Sequence, residues 1–186
     1  RQASTDIPSL LADPSANSVV IATRHDSHAT LVQQALAAGK HVFVEKPLCL
    51  TTVELAAIGA AHKGQGLLMV GFNRRFAPLL LDLKQQLSRL HGPMAFVYIH
   101  WPQDTAVGGG RLLGEACHFV DLLRYLAASP IEDLQLTNAV DRKPCPDTFS
   151  LQLRFADGSI GTVHYFANGS KAFPKERLEV FADGKV

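Results

Sequence analysis

Three short apolar runs, Ser18 to Ala22 (SVVIA), His41 to Glu45 (HVFVE) and Leu67 to Gly71 (LLMVG), alternate with two stretches of helical spacing. No other feature of the chain restricts its fold as much. The order strand, helix, strand, helix, strand requires right-handed crossovers and hence a parallel sheet. The first run is β-branched and lacks polar alternation, which suits a strand buried on both faces. Asp26 or Ser27 is placed to cap the next helix, which runs to about Ala38 with Gly39 just past its end. Thr51-Thr52-Val53-Glu54 has the form of a capping box opening a helix to about Lys63.

A helix from Ala77 to Leu90 leads away, and past Gly92-Pro93 the pattern changes. Met94 to His100 reads as a strand, Gly108-Gly109-Gly110 as a flexible loop, and Leu113 to Ala127 as an amphipathic helix. Phe119, Leu122, Leu123 and Leu126 form its apolar stripe. Phe149 to Phe155 and Ser159 to Phe166 flank an Asp157-Gly158 turn, giving an antiparallel hairpin with one solvated face. Arg177 to Phe181, followed by Asp183-Gly184, starts another. The fold class is α/β followed by α+β: part of a doubly wound parallel sheet over residues 1–76, then a domain with a largely antiparallel sheet over residues 77–186.

Composition narrows the partners. Hydrophobic residues make up 47% of the chain and charged residues 19%, values of a folded globular protein. Lys plus Arg number 18 against 17 Asp plus Glu, so no net field draws the chain to nucleic acid or to an anionic membrane. No apolar run approaches the roughly 20 residues of a spanning helix. Cys49, Cys117 and Cys145 have no paired spacing, which argues against a disulfide framework or a structural zinc and for a reducing cytoplasm. The start lacks both a methionine and the architecture of a signal peptide, as expected for a piece of a longer chain.

In a parallel sheet the strands end at one edge, and ligands bind outside those carboxyl ends. Topology alone therefore gathers Thr23-Arg24-His25-Asp26, Glu45-Lys46-Pro47 and Phe72-Asn73-Arg74-Arg75. Lys46, held extended by Pro47, is a candidate donor or proton-sharing group; the alternative is a strand-end lysine that is solvated or paired with Glu45. His118 lies one helical turn from Glu115 and one from Asp121, so it can accept a proton while a carboxylate fixes its tautomer. The alternative is a core-edge histidine bonded to backbone. His25 and His28 invite a metal reading, but no second ligand pair has a recognised spacing, so no metal is assigned. Arg74 and Arg75 can hold an anion, although adjacent arginines more often divide into one solvated and one ion-paired. Cys117 points about 100° away from His118 around a helix and reads as packing.

With these residues assembled, the chain resembles the glucose-fructose oxidoreductase, inositol dehydrogenase and MocA family of two-domain NAD(P)-dependent enzymes. The resemblance covers essentially the whole chain. It rests on Thr23 to His28 (TRHDSH) for the family's TPNxxH, Ala38 to Pro47 for AGKHVxxEKP, Gly71 to Phe76 for GFNRRF, and Gly108 to Asp121 (GGGRLLGEACHFVD) for GGGxLxDxGxHxxD. It implies a partial Rossmann-type sheet, NAD or NADP as cofactor, a sugar-like or cyclitol alcohol as substrate, and a homo-oligomer formed through the second sheet. Lys46 would contact substrate near the nicotinamide and His118 would accept its proton, with Thr23, Arg24, His25, His28, Glu45, Lys46, Pro47 and Asn73 on the dinucleotide side. Gly114 stands where the family often has aspartate, so either Glu115 substitutes as the acid from the adjacent position or the proton relay differs; Arg24 stands where proline is usual. The opening strand, GxGxxG turn and ribose-reading acid are not in the sequence, so this chain by itself is expected to be inactive and not to bind NAD(P) measurably. Two other readings are a non-catalytic member that binds nucleotide or partner, and a lyase or aldolase using Lys46 as a Schiff-base amine.

Overall fold

The computed structural model describes residues 3–64, 66–100, 111–139, 148–168, 170, 172 and 174–186. The chain divides into two compact units, Arg1–Gly71 and Phe72–Val186. The triglycine loop and Cys145 lie outside the described residues.

The first unit runs α1 (Ile7–Ala12), β1 (Ser18–Ile21), α2 (His25–Ala37), β2 (His41–Val44), α3 (Thr52–Ala61) and β3 (Leu68–Val70). Its strands form a parallel sheet in the order β1-β2-β3, with Val20 opposite Phe43 and Phe43 opposite Met69. Two successive right-handed crossovers in one direction bring both helices to the same face. There Ile21, Val42 and Val44 pack with Val32, Ala35, Leu36 and Ile58. The expectation of a first strand buried on both faces is therefore corrected: Val20, on the other face, is 72% exposed, and Met69 and Leu67 are exposed as well. The capping box forms as read, with the Thr51 hydroxyl accepting from Glu54 N–H while Glu54 accepts from Thr51 N–H. Gly39, at φ 71°, takes the left-handed position after α2. That helix begins earlier than the polar residues suggested. Its first residue is His25 and Arg24 gives no side-chain cap, while Ser27 turns its hydroxyl back to the Arg24 carbonyl.

The second unit opens with a 3-10 turn (Asn73–Phe76) and α4 (Pro78–Leu87), which stops short of Leu90. There follow β4 (Ala95–His100), a π-helical segment (Leu112–Ala116) continuous with α5 (Cys117–Ala127), and strands β5 (Ile131–Asn138), β6 (Thr148–Phe155), β7 (Ile160–Phe166) and β8 (Glu176–Phe181). The five strands form one mixed sheet in the order β5-β6-β7-β4-β8, antiparallel except between β4 and β7. The expected apolar stripe of α5 is all buried, with Leu122, Leu123, Leu126 and Phe119 packed against Phe96, Leu151, Leu153, Phe155 and Val163. Gly161 admits the helix closely, since a Cβ there would lie 3.0 Å from Leu123 Cδ1. The fold is thus the expected parallel α/β sheet followed by a mostly antiparallel α+β unit. No helix among the described residues is long and apolar enough to cross a membrane.

Candidate functional site

In the first unit the carboxyl edge of the sheet carries the predicted residues of two strand ends. Thr23 follows β1 by two residues and shares a 2.7 Å hydrogen bond with the Ser27 hydroxyl. Glu45, Lys46 and Pro47 follow β2 directly, and the Lys46–Pro47 peptide is cis. These two loops are joined by one side chain. His28 is fully buried, with Nδ1 donating to the Pro47 carbonyl at 2.7 Å and Nε2 lying 3.1 Å from the Thr23 carbonyl. His28 thus holds the loops in place and presents no ring edge to solvent. His25 meets it edge to face, and His25 Nδ1 is buried without a hydrogen-bond partner among the described residues. Glu45 and Lys46 are half-buried, Thr23 and Arg24 exposed. At the end of β3, Gly71 leaves room for the Glu45 carboxyl, whose Cδ would be 3.2 Å from a Cβ there.

In the second unit the predicted pair falls at the start of α5. His118 is half-buried on its first turn, edge-on to Phe72 at 6.2 Å between ring centroids. Glu115 is turned to the sheet, accepting from Tyr165 at 2.6 Å and from Arg111 at 2.8 Å. Asp121 accepts both guanidinium bonds of Arg75. Asn73 is exposed at the head of the 3-10 turn. The expectation of one solvated and one paired arginine is corrected, because both are paired. A 3-10 turn advances about 120° per residue, so Arg75 reaches α5 while Arg74 reaches the sheet. There Arg74 forms a bidentate pair with Glu176.

Arg74 and Glu115 belong to a polar cluster that sequence reasoning did not assemble. The register sets Glu176 of β8 and Tyr165 of β7 on either side of His100 at the end of β4. His100 is 2% exposed, and its nitrogens lie 3.5 Å from the carboxylates of Glu115 and Glu176, long for hydrogen bonds but close for ion pairs. Burial opposes charge on His100, yet the two carboxylates outweigh it and raise its pKa. The approach of His100 and the bond from Tyr165 depress Glu115 to about 2. Glu176 is lowered as well: burial works against this, and His100 and Arg74 prevail. Burial, reinforced by a neighbouring carboxylate, pushes the Tyr98 and Tyr165 hydroxyls up. A signal was available in the sequence. Phe96, Tyr98 and His100 share one phase of an alternating strand, and a histidine on the buried phase calls for polar partners from the elements packed against it.

Comparison with known proteins agrees with these units in chain order. Residues 2–72 match a model described as an oxidoreductase family with an NAD-binding Rossmann fold, and residues 88–184 match the GFO/IDH/MocA C-terminal domain. The chain is 28% identical over 193 residues to a myo-inositol 2-dehydrogenase of Thermotoga maritima, covering 92% of this chain and 56% of that protein. Over 136 residues it is 43% identical to an inositol 2-dehydrogenase of Acidothermus cellulolyticus, covering 68% of this chain and 39% of that one. The crystal structure of a probable dehydrogenase from Thermotoga maritima matches with a TM-score of 0.83 at 25% identity, over 98% of this chain and 59% of the other. The chain spans about half the length of the curated relatives it matches. With its parallel-sheet unit and its mixed-sheet unit each matching the corresponding family domain, the chain belongs to the GFO/IDH/MocA oxidoreductase family.

Proposed function

We propose that the natural protein is an NAD-dependent dehydrogenase of a cyclitol or sugar alcohol. This chain would supply part of its nicotinamide-side edge and its proton-accepting helix. The observation that carries the reading is the pair of strand-end loops locked together by His28. Their mixture of groups suits ribose hydroxyls and a carboxamide: the Thr23 hydroxyl, the buried His25 Nδ1 that has no hydrogen-bond partner among the described residues, the Glu45 carboxylate and the Lys46 ammonium. Arg24, Pro47 and Asn73 are assigned to the same side by resemblance. His28 is assigned to positioning the loops, and Glu115 to positioning α5.

When bound, NAD supplies the hydride acceptor. Lys46 holds the substrate hydroxyl oxygen and spreads the negative charge that develops on it. His118 Nδ1 is buried, so Nε2 is the nitrogen assigned to receive the hydroxyl proton. The inositol dehydrogenases among the relatives support a polyhydroxylated ring as substrate. A cytoplasmic homo-oligomer is part of the proposal; edge strand β5, with exposed Leu134 and Leu136, supports the association.

The test is reduction of NAD, followed by absorbance of the reduced nicotinamide, across a panel of cyclitols and sugars with the natural protein. Lys46→Ala and His118→Asn each lower kcat at least about a hundredfold under this reading. Near-normal kcat in both variants would move the chemistry to other residues.

A further inference from the structure

The two carboxylates nearest His118 along its helix are both committed to other groups. Glu115, one turn before, is bound by Arg111 and Tyr165, and Asp121, one turn after, by Arg75. The histidine ring meets Phe72 edge-on, with an interplanar angle of 78°. Phe72 is itself in contact with the turn that follows it, because the Arg75 guanidinium lies over its ring at 5.9 Å and over that of Tyr125 at 5.4 Å. The Arg75–Asp121 pair is bidentate, which fixes a direction as well as a distance, and the Asp121 side chain is only 9% exposed. The contacts therefore close a loop from His118 to Phe72, from Phe72 to Arg75, from Arg75 to Asp121, and back to the helix one turn beyond the histidine. Next to Arg75, Arg74 anchors the same 3-10 turn to Glu176 and the Tyr98 hydroxyl of the sheet, so the turn cannot slide along α5.

We propose that Phe72, Arg75 and Asp121 are positioning residues that fix the ring plane of His118. The value of this clamp to catalysis rests on the proton-accepting role assigned to His118 above. Arginine is required by the geometry, since lysine would keep the charge but lose the planar fork that both pairs with Asp121 and covers Phe72.

The test is nuclear magnetic resonance of histidine-labelled chain, in which the His118 ring signal is identified by its loss in His118→Gln. Arg75→Lys and Asp121→Asn each move or broaden that signal, and the double variant moves it no further, because both act through one contact. The ring signals of His25, His28, His41 and His62 in the first unit stay in place. The far-ultraviolet spectrum and a cooperative thermal transition verify the fold; if Asp121→Asn loses them, Arg75→Lys carries the comparison alone. An unmoved His118 signal in a folded Arg75→Lys chain overturns the proposal. In the natural protein the same variant lowers kcat about tenfold or more at unchanged KM for NAD. A shifted signal with unchanged kcat leaves the clamp standing and removes the proton-accepting role from His118.

Discussion

Glutamine in place of Glu115 keeps the side chain's size and removes its charge from the cluster around His100. The carboxyl is depressed from 4.5 to about 2 in the folded chain. At about 1.4 kcal/mol for each unit of pKa, that linkage is worth about 3 kcal/mol at neutral pH, reduced toward about 2 because the side chain is 29% exposed. A depressed carboxylate contributes fully above its unfolded value and loses the contribution as pH falls through the folded value. His100 has the opposite sign, contributing below 6.5 and losing its share as pH rises through its elevated folded value. Both operate between roughly pH 5 and 6.5, so the substitution is most damaging there. By pH 3 the Glu115 share has fallen by more than half. Urea titrations of wild type and Glu115→Gln at pH 6 and pH 3 measure this, followed by near-ultraviolet circular dichroism. All three tyrosines, Tyr98, Tyr125 and Tyr165, lie in the second unit, so the signal reports that unit. A penalty equal at the two pH values would mean that Glu115 acts through shape alone and would refute the electrostatic argument.

His28→Phe retains the ring but removes both contacts to the Thr23 and Pro47 carbonyls; it should cost the first unit about 2 kcal/mol, read from its thermal transition. Lys40, 7% exposed, donates to the carbonyls of Asp13 and Ala16, and Lys40→Met should cost about 1–3 kcal/mol and speed amide exchange between α1 and β1. Leu123→Ala, at a fully buried position facing Gly161, should destabilise the second unit by about 2–5 kcal/mol in the same urea titration.

Local devices were readable from the chain. The capping box at Thr51, the turn glycine Gly39, the Asp157-Gly158 hairpin and the apolar stripe of α5 each depend on residues within a few positions of one another. The position of Thr23, Glu45 and Lys46 at one edge of the sheet was legible because parallel topology brings strand ends together there. The cluster around His100 was not, because it is made by register between β4, β7 and β8, whose members lie far apart in sequence. Strand β5 was missed for a related reason: its residues are mostly exposed, so it carries little apolar alternation, and it forms by pairing with β6. The bare face at Val20 also escaped the pattern, since a β-branched run reads the same whether one face is packed or two.

The most direct test of the proposed chemistry follows the hydrogen itself. A cyclitol oxidised by the natural protein, deuterated at the reacting carbon, should deliver its deuterium to the nicotinamide ring. Mass spectrometry of the reduced cofactor should find one label per turnover, and Lys46→Ala should slow the transfer without redirecting it. Reduced cofactor without label, or substrate trapped on Lys46 by borohydride in place of cofactor reduction, would contradict hydride transfer and place the lysine at the centre of a different reaction.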